Sequence, residues 1–452
     1  MTESRTLHDL TATEASAMMR SGALSPAALV EALLARIDAL EPTVKAWVTI
    51  DRAQALRLAE EMSEETRAGT FRGPLHGIPV GIKDIVHVAG VLTTAGAGRF
   101  AHVVPFEDAA SVARLRAAGA IVLGKTTTTE FAYLDATVTT NPWNPGHTPG
   151  GSSAGSAAAV SAGMIPVALG SQTIGSTLRP AAYCGIVGFK PTHGRISLDG
   201  VHPLAPTLDH VGIFCRSVDD AALLFAVLAD DPAQGTGPPA GPQTPPRIGV
   251  LGDFFVTRTE AGSRAVITGA VNALAAAGAQ IVDVALPVNF TDVYDATNLI
   301  VEVEAASVHR ARFAEHGTHY RPKLRTLVEQ GQQRSAAAYT GALDLRRRFR
   351  EEMTQAAARV DALLMATTPA PAPRGLESTG DPTFCAPWSF AGFPAISLPA
   401  GLSGGLPVGI QLVAGLNAEA QLLAAAHWCE RIIAFSATPD RAGRLTIPQQ
   451  MV

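Results

Sequence analysis

A chain of 452 residues, against a prior of about 100–200 residues per domain, allows two or three domains or one large α/β unit with insertions. Hydrophobic residues make up 47% and charged residues 17%, ample for a large core, while 35 Lys+Arg against 40 Asp+Glu leave a net charge of -5 and no basic footprint for nucleic acid or an anionic membrane. The expected partner is a small-molecule substrate, with no nucleic acid, no membrane, and room for a homodimer.

Four scattered cysteines that suggest no disulfide framework make the cytoplasm the expected location, and the opening MTESRTLHDL has neither the basic nor the apolar region of a signal peptide. Thr11 with Glu14 forms a capping box, and Ser25-Pro26 is an N-cap followed by proline at the first helical position. The second of these helices carries Leu29, Leu33 and Ile37 and is expected to stop before Pro42, and a third covers about Ala53–Met62. Gly77–Ile85 is an apolar run that meets its first charges at Lys83 and Asp84, as a buried strand does when its C-terminal end reaches a site. Asp108–Gly119 reads as helix and Ala120–Leu123 as strand; Asn141–Pro149 is irregular because each proline pushes its predecessor out of helix. It leads into Gly150–Pro191, crowded with Gly, Ser and Ala but punctuated by Ile, Val, Leu, Phe and Tyr, hence a packed segment rather than a linker.

Asp209–Ala229 reads as strand then amphipathic helix, and Pro232–Pro246 as a Pro/Gly surface linker. Ile248–Leu251, Glu260–Ala277 and Gln280–Leu286 resume a βαβ rhythm. Asp292–Met353 is helical, with Arg346-Arg347-Arg348 on a solvated face. Strands at Ala362–Ala366, Ala395–Leu398 and Val408–Val413 precede a last helix at Ala418–Ile432. This alternation predicts an α/β fold whose sheet is parallel or mixed, with helices on its faces. The four cysteines, Cys184, Cys215, Cys385 and Cys429, form no CxxC pair, and the longest apolar run, Ala157–Leu169, falls short of the roughly 20 residues of a membrane helix.

Several serines stand where a nucleophile is conceivable. Gly151-Ser152-Ser153-Ala154-Gly155 matches the GxSxG elbow, but the strand that the elbow requires is replaced by a proline-broken loop. His316 and His319 lack a third metal ligand at a recognised spacing. Ser176, behind Thr173-Ile174-Gly175, lies in a loop whose successive N–H groups could converge as an oxyanion hole. Its base would be His147 or His193, neither with an orienting carboxylate beside it, or a lysine. Lys83 either leaves the sheet toward water, pairs with Asp84, or is held in the interior, where burial lowers its pKa.

GIPVGIKDI at Lys83, PGGSSAGSAAAVSAG at Ser152, GSQTIGSTLRPAAYCGIVGFKPTHG at Ser176 and FPAISLPAGLSGGLPVGIQLV near the C-terminus together resemble the amidase signature family, over nearly the whole chain. The resemblance implies an acylated Ser176, a relay Ser152 in a cis peptide, Lys83 as base, and a single large domain with one twisted mixed sheet flanked by helices, needing no metal or cofactor. On that reading, 11–65 are N-terminal helices, 70–230 the catalytic core, 231–247 a surface linker and 248–452 a C-terminal part whose region 292–353 varies with substrate. Lys83 has to be neutral, its pKa lowered from about 10.4 toward roughly 7 or 8.

The chain departs from the family in the loop itself. Where Thr-Asp-Thr-Gly-Gly-Ser is common, it has Ser171-Gln172-Thr173-Ile174-Gly175-Ser176, and Leu178 stands at the family's arginine, with Arg179 one place later. A β-branched Ile174 requires an ordinary backbone region. The principal expectation is a hydrolase of a small-molecule amide, extending to esters, anilides and carbamates, with Thr173, Ile174, Gly175 and Ser176 forming the oxyanion hole. Phe131, Tyr133, Arg179, Phe384 and Trp388 are the expected substrate contacts, Arg179 having a structural alternative. The alternatives are the amidase subunit of a glutamyl- or aspartyl-tRNA amidotransferase, and a catalytically idle binding protein on this fold.

Overall fold

The computed structural model describes residues 6–231, 244–285 and 289–439. Most of the expected linker, 232–243, and residue 286 at the end of the expected strand lie outside them. Eleven strands form one mixed sheet. They are β1 Trp47–Ile50, β2 Pro79–Lys83, β3 Ile121–Thr126, β4 Val167–Gln172, β5 Val187–Lys190, β6 His210–Cys215, β7 Arg247–Leu251, β8 Gln280–Val284, β9 Ala362–Ala366, β10 Ala395–Ser403 and β11 Leu406–Val413. Their spatial order is β1-β3-β2-β4-β6-β5-β10-β11-β9-β7-β8. β2 runs parallel to β3 and β4, and β7 parallel to β8 and β9; the remaining pairs are antiparallel. β4, β5, β6 and β11 are buried at every position, so their apolar runs belong to a sheet covered on both faces.

This topology gathers the residues of interest at one edge. Because β2 and β4 are parallel, Lys83 and Gln172 both end their strands on the same side. β6 runs the other way, so its first residue, His210, pairs with Gln172. Lys83 also pairs with Thr126, the last residue of β3. The loops after β2, β3 and β4 and the segment before β6 therefore converge there, outside the carboxyl ends of parallel strands, where α/β sheets bind ligands.

Two expectations are corrected. The second helix runs Pro26–Val44, through Pro42, and ends at a left-handed Lys45. Proline in the last turn forfeits one N–H bond, and the chain beyond is secured by Glu41, whose carboxylate accepts from the N–H of Ala46 and of Trp47 at 2.9 Å each. Arg346 is not on a solvated face: on the helix Ala336–Ala357 it shares the inward stripe of Ala342, Phe349 and Met353 and donates to the carbonyls of Phe390 and Thr207 at 2.6 Å. Arg347 and Arg348 are exposed.

Candidate active site

Lys83 is wholly buried, with its Nζ 2.7 Å from Ser152 Oγ and 2.7 Å from Ser171 Oγ. Burial drives its pKa far below the ordinary lysine value, and the negative charge of Asp209 opposes that fall. An amine between two hydroxyls, with no carboxylate among the described residues bonded to it, is in surroundings that favour its neutral form. Asp84, the sequence alternative as its partner, instead pairs with Lys125 at 3.0 Å, both fully buried, and accepts from Thr94 N–H and Oγ1.

The Gly151–Ser152 peptide is cis. Arg179 holds it from one side, its Nη2 donating to the Gly151 carbonyl at 2.7 Å; the Ser152 carbonyl accepts from Thr129 N–H at 3.2 Å. Ser153, the elbow candidate, starts the buried helix Ala154–Ser161, and its Oγ exchanges hydrogen bonds with the backbone of Ser171.

Ser176 is 7% exposed, in the turn between β4 and the helix Leu178–Cys184. Ile174 keeps an ordinary negative φ, as its branched side chain requires, and is itself buried. Among the described residues, no carbonyl or side chain accepts a hydrogen bond from the N–H groups of Thr173, Ile174, Gly175 or Ser176. Buried N–H groups are nearly always paired, so a run of free ones marks a place for a ligand oxygen. Gln172 secures this turn: its Oε1 accepts from the N–H of Thr177 at 2.9 Å and of Leu178 at 3.0 Å, and its Nε2 donates to Ser389 Oγ. Ser389 in turn donates to the Ile174 carbonyl. The uncharged Gln172 thus ties down the helix start where the family commonly has a carboxylate.

The remaining sequence candidates divide. His147 and His193 bond the carbonyls of Ala372 and Pro206 rather than Ser176. Phe131, held in the left-handed region at φ 44°, is buried among Phe100, His202, His309 and Tyr320. Phe384 and Trp388 have no exposed surface and pack on Phe255. Tyr133 is half-buried and borders an open cavity of about 300 Å³ with Pro322 and Thr326. Arg179 is buried and also reaches the carbonyl of Gly380 at 2.8 Å and Thr379 Oγ1 at 3.2 Å. Ser171 and Asp209 escaped the sequence reading. Both make their contacts to residues distant in the chain, which no local pattern marks. Among the described residues, no group of three or more His, Cys, Asp or Glu could hold a metal, and no helix is long and apolar enough to cross a membrane.

Comparison with known proteins gives this geometry a family. A protein named as a glutamyl-tRNA(Gln) amidotransferase subunit, from Chloroflexus aurantiacus, is 37% identical, over 92% of this chain and 95% of its own length. One of the same name from Carboxydothermus hydrogenoformans is 36% identical over 94% and 97%. The crystal structure of an amidase superposes with a TM-score of 0.86 at 34% identity, over 93% of this chain and 99% of that one. The profile of the Amidase family matches residues 28–423, and the chain belongs to that family, an enzyme acting on amide C–N bonds.

Proposed function

We propose that this chain is the amidase subunit of a glutamyl-tRNA(Gln) amidotransferase, hydrolysing a carboxamide through acyl-Ser176 so that the released ammonia serves an amidation completed with a partner subunit on tRNA. The observation that carries the assignment is likeness at full length, 37% identity over 92% of this chain and 95% of a relative of that name. Two expectations are thereby corrected. The free-standing hydrolase of small-molecule amides, with its esters, anilides and carbamates, yields to the reading held as its alternative, and a partner set without nucleic acid yields to one with tRNA and a protein partner. Composition misled here because a net charge of -5 describes one subunit's surface, whereas a partner can supply the basic contacts to tRNA. A cytoplasmic location goes with this reading.

In the proposed chemistry, neutral Lys83 accepts the proton of Ser152 while Ser152 takes that of Ser176. The Ser176 oxygen forms the C–O bond at the carboxamide carbon, and the N–H groups of Thr173 to Ser176 stabilise the oxyanion. Ser152 then returns a proton to the nitrogen as the C–N bond breaks and ammonia leaves, and water repeats the cycle on the acyl-enzyme. The free N–H groups and the Lys83–Ser152 contact support these roles.

The test is ammonia release from glutamine by the purified chain, alone and with glutamyl-tRNA and the partner subunit. Ser176→Ala is expected to lower kcat by about 10⁴ or more, and partner plus tRNA to switch on transfer to the tRNA-bound glutamate. Full turnover by Ser176→Ala refutes the nucleophile. Fast cleavage of simple amides, indifferent to partner and tRNA, refutes the assignment to an amidotransferase.

A further inference from the structure

The segment before β6 carries a buried carboxylate that this chemistry does not use. Asp209 Oδ1 accepts from Thr173 Oγ1 at 2.6 Å, and Oδ2 accepts from the N–H of Leu204 at 2.8 Å and of Ala205 at 3.1 Å. All three donors are neutral, so this is not an ordinary buried ion pair. Thr173 opens the loop whose N–H groups are free. A second tie lies beside it: His210, kept neutral by burial, has its Nδ1 3.2 Å from the Gln172 carbonyl. The loop of Ser176 is thus hung from the head of β6 at two adjacent points.

We propose that Asp209 is a positioning residue that, through Thr173, fixes the Thr173–Ser176 loop to β6 and sets where its N–H groups converge, a role that rests on the reading of Ser176 and Lys83 given above. With four unpaired N–H groups and a glycine in it, the loop has little of its own to keep it in place, and a misplacement of about 1 Å can cost up to a hundredfold in rate. Asp209 has an electrostatic effect as well. Its charge is the one that favours the protonated form of Lys83 against burial. Around it, burial and the negative charge of Glu304 raise its own pKa while its three hydrogen bonds lower it, and His193 and His210 are kept neutral by burial; Asp84 and Lys125 are engaged with each other. Removing the Asp209 charge withdraws support from the ammonium, so Lys83 loses its proton at a lower pH, and the limb of activity that rises as Lys83 becomes neutral moves down the pH scale.

The experiment is the rate of Ser176 phosphonylation by a fluorophosphonate probe across pH, on the full chain. Asp209→Asn keeps the shape and removes the charge; its plateau is expected to fall about tenfold and its rising limb to move down by about half a pH unit or more. Thr173→Val is expected to lower the plateau similarly with the limb in place, and Thr173→Ser to restore it. An Asp209→Asn profile that matches the parent overturns the proposal, as does a plateau lowered in Asp209→Asn but parental in Thr173→Val, which would leave Asp209 merely structural. Should Asp209→Asn not fold, Thr173→Val labelled at the parental rate overturns it alone. Ser176→Ala labelled as fast as the parent would instead sink the reading of Ser176, so the two failures are distinct.

Discussion

Arg179 donates to two backbone carbonyls and a threonine hydroxyl from a position 1% exposed, and no carboxylate among the described residues is bonded to it. A guanidinium remains charged even where burial lowers its pKa, and here it fixes the peptide next to Ser152 with a fork that lysine cannot reproduce. Arg179→Lys is therefore expected to lose about 2–3 kcal/mol of stability, read from urea midpoints, with KM little changed. A raised KM at parental stability would return Arg179 to the substrate. The same chemistry explains what single residues disclosed in the sequence. Lys83, Ser152 and Ser176 stand in runs of distinctive composition. Ser171 touches Lys83 across 88 positions and Thr173 touches Asp209 across 36, and a serine or aspartate bonded to a neutral group leaves no local pattern.

Among the elements, the strand ends and the short buried helix behind Ser152 determine the site. Gly155, in the first turn of Ala154–Ser161, donates its N–H to Thr127 at 3.0 Å, and a Cβ there would overlap the Ala46 carbonyl oxygen and the Thr127 backbone nitrogen. Neither is a movable side chain, so Gly155→Ala is expected to cost about 3 kcal/mol or more and to shift the helix off β3. The variant's urea midpoint and its phosphonylation rate should fall together, and parental values for both would contradict the close approach. That the segment was packed rather than linker was legible from its interspersed apolar residues; which glycine faces backbone was not, because that depends on register between β1, β3 and the helix. β1 itself, four residues long, was missed for want of a period-2 run long enough to recognise. The helices of 292–353 were legible from periodicity, and they appear as Phe290–His316, Pro322–Gln333 and Ala336–Ala357. Arg346 was misjudged because three consecutive arginines point in three directions around a helix.

At the scale of the fold, three lysines lie in the interior among the described residues, Lys83, Lys125 and Lys190, each with no exposed surface and each with its pKa lowered chiefly by burial. Lys190, at the end of β5, donates to the carbonyls of Phe393 and Pro191, and its pKa falls to about 7, with Glu419 opposing the fall. Unfolded, it titrates near 10.4, so between about pH 7 and 10 the unfolded chain binds a proton that the folded chain does not. The stability linked to Lys190 is then complete above the unfolded value and is lost as pH falls toward 7. Lys190→Met removes that dependence while leaving the other buried groups to cancel between the two proteins. Its stability relative to the parent is expected to decline by about 1 kcal/mol per pH unit from pH 7 to 9, whatever constant offset the two abandoned carbonyls impose. Urea midpoints of both proteins at pH 7, 8 and 9 measure the slope, and a difference independent of pH would mean that Lys190 keeps its proton in the folded core.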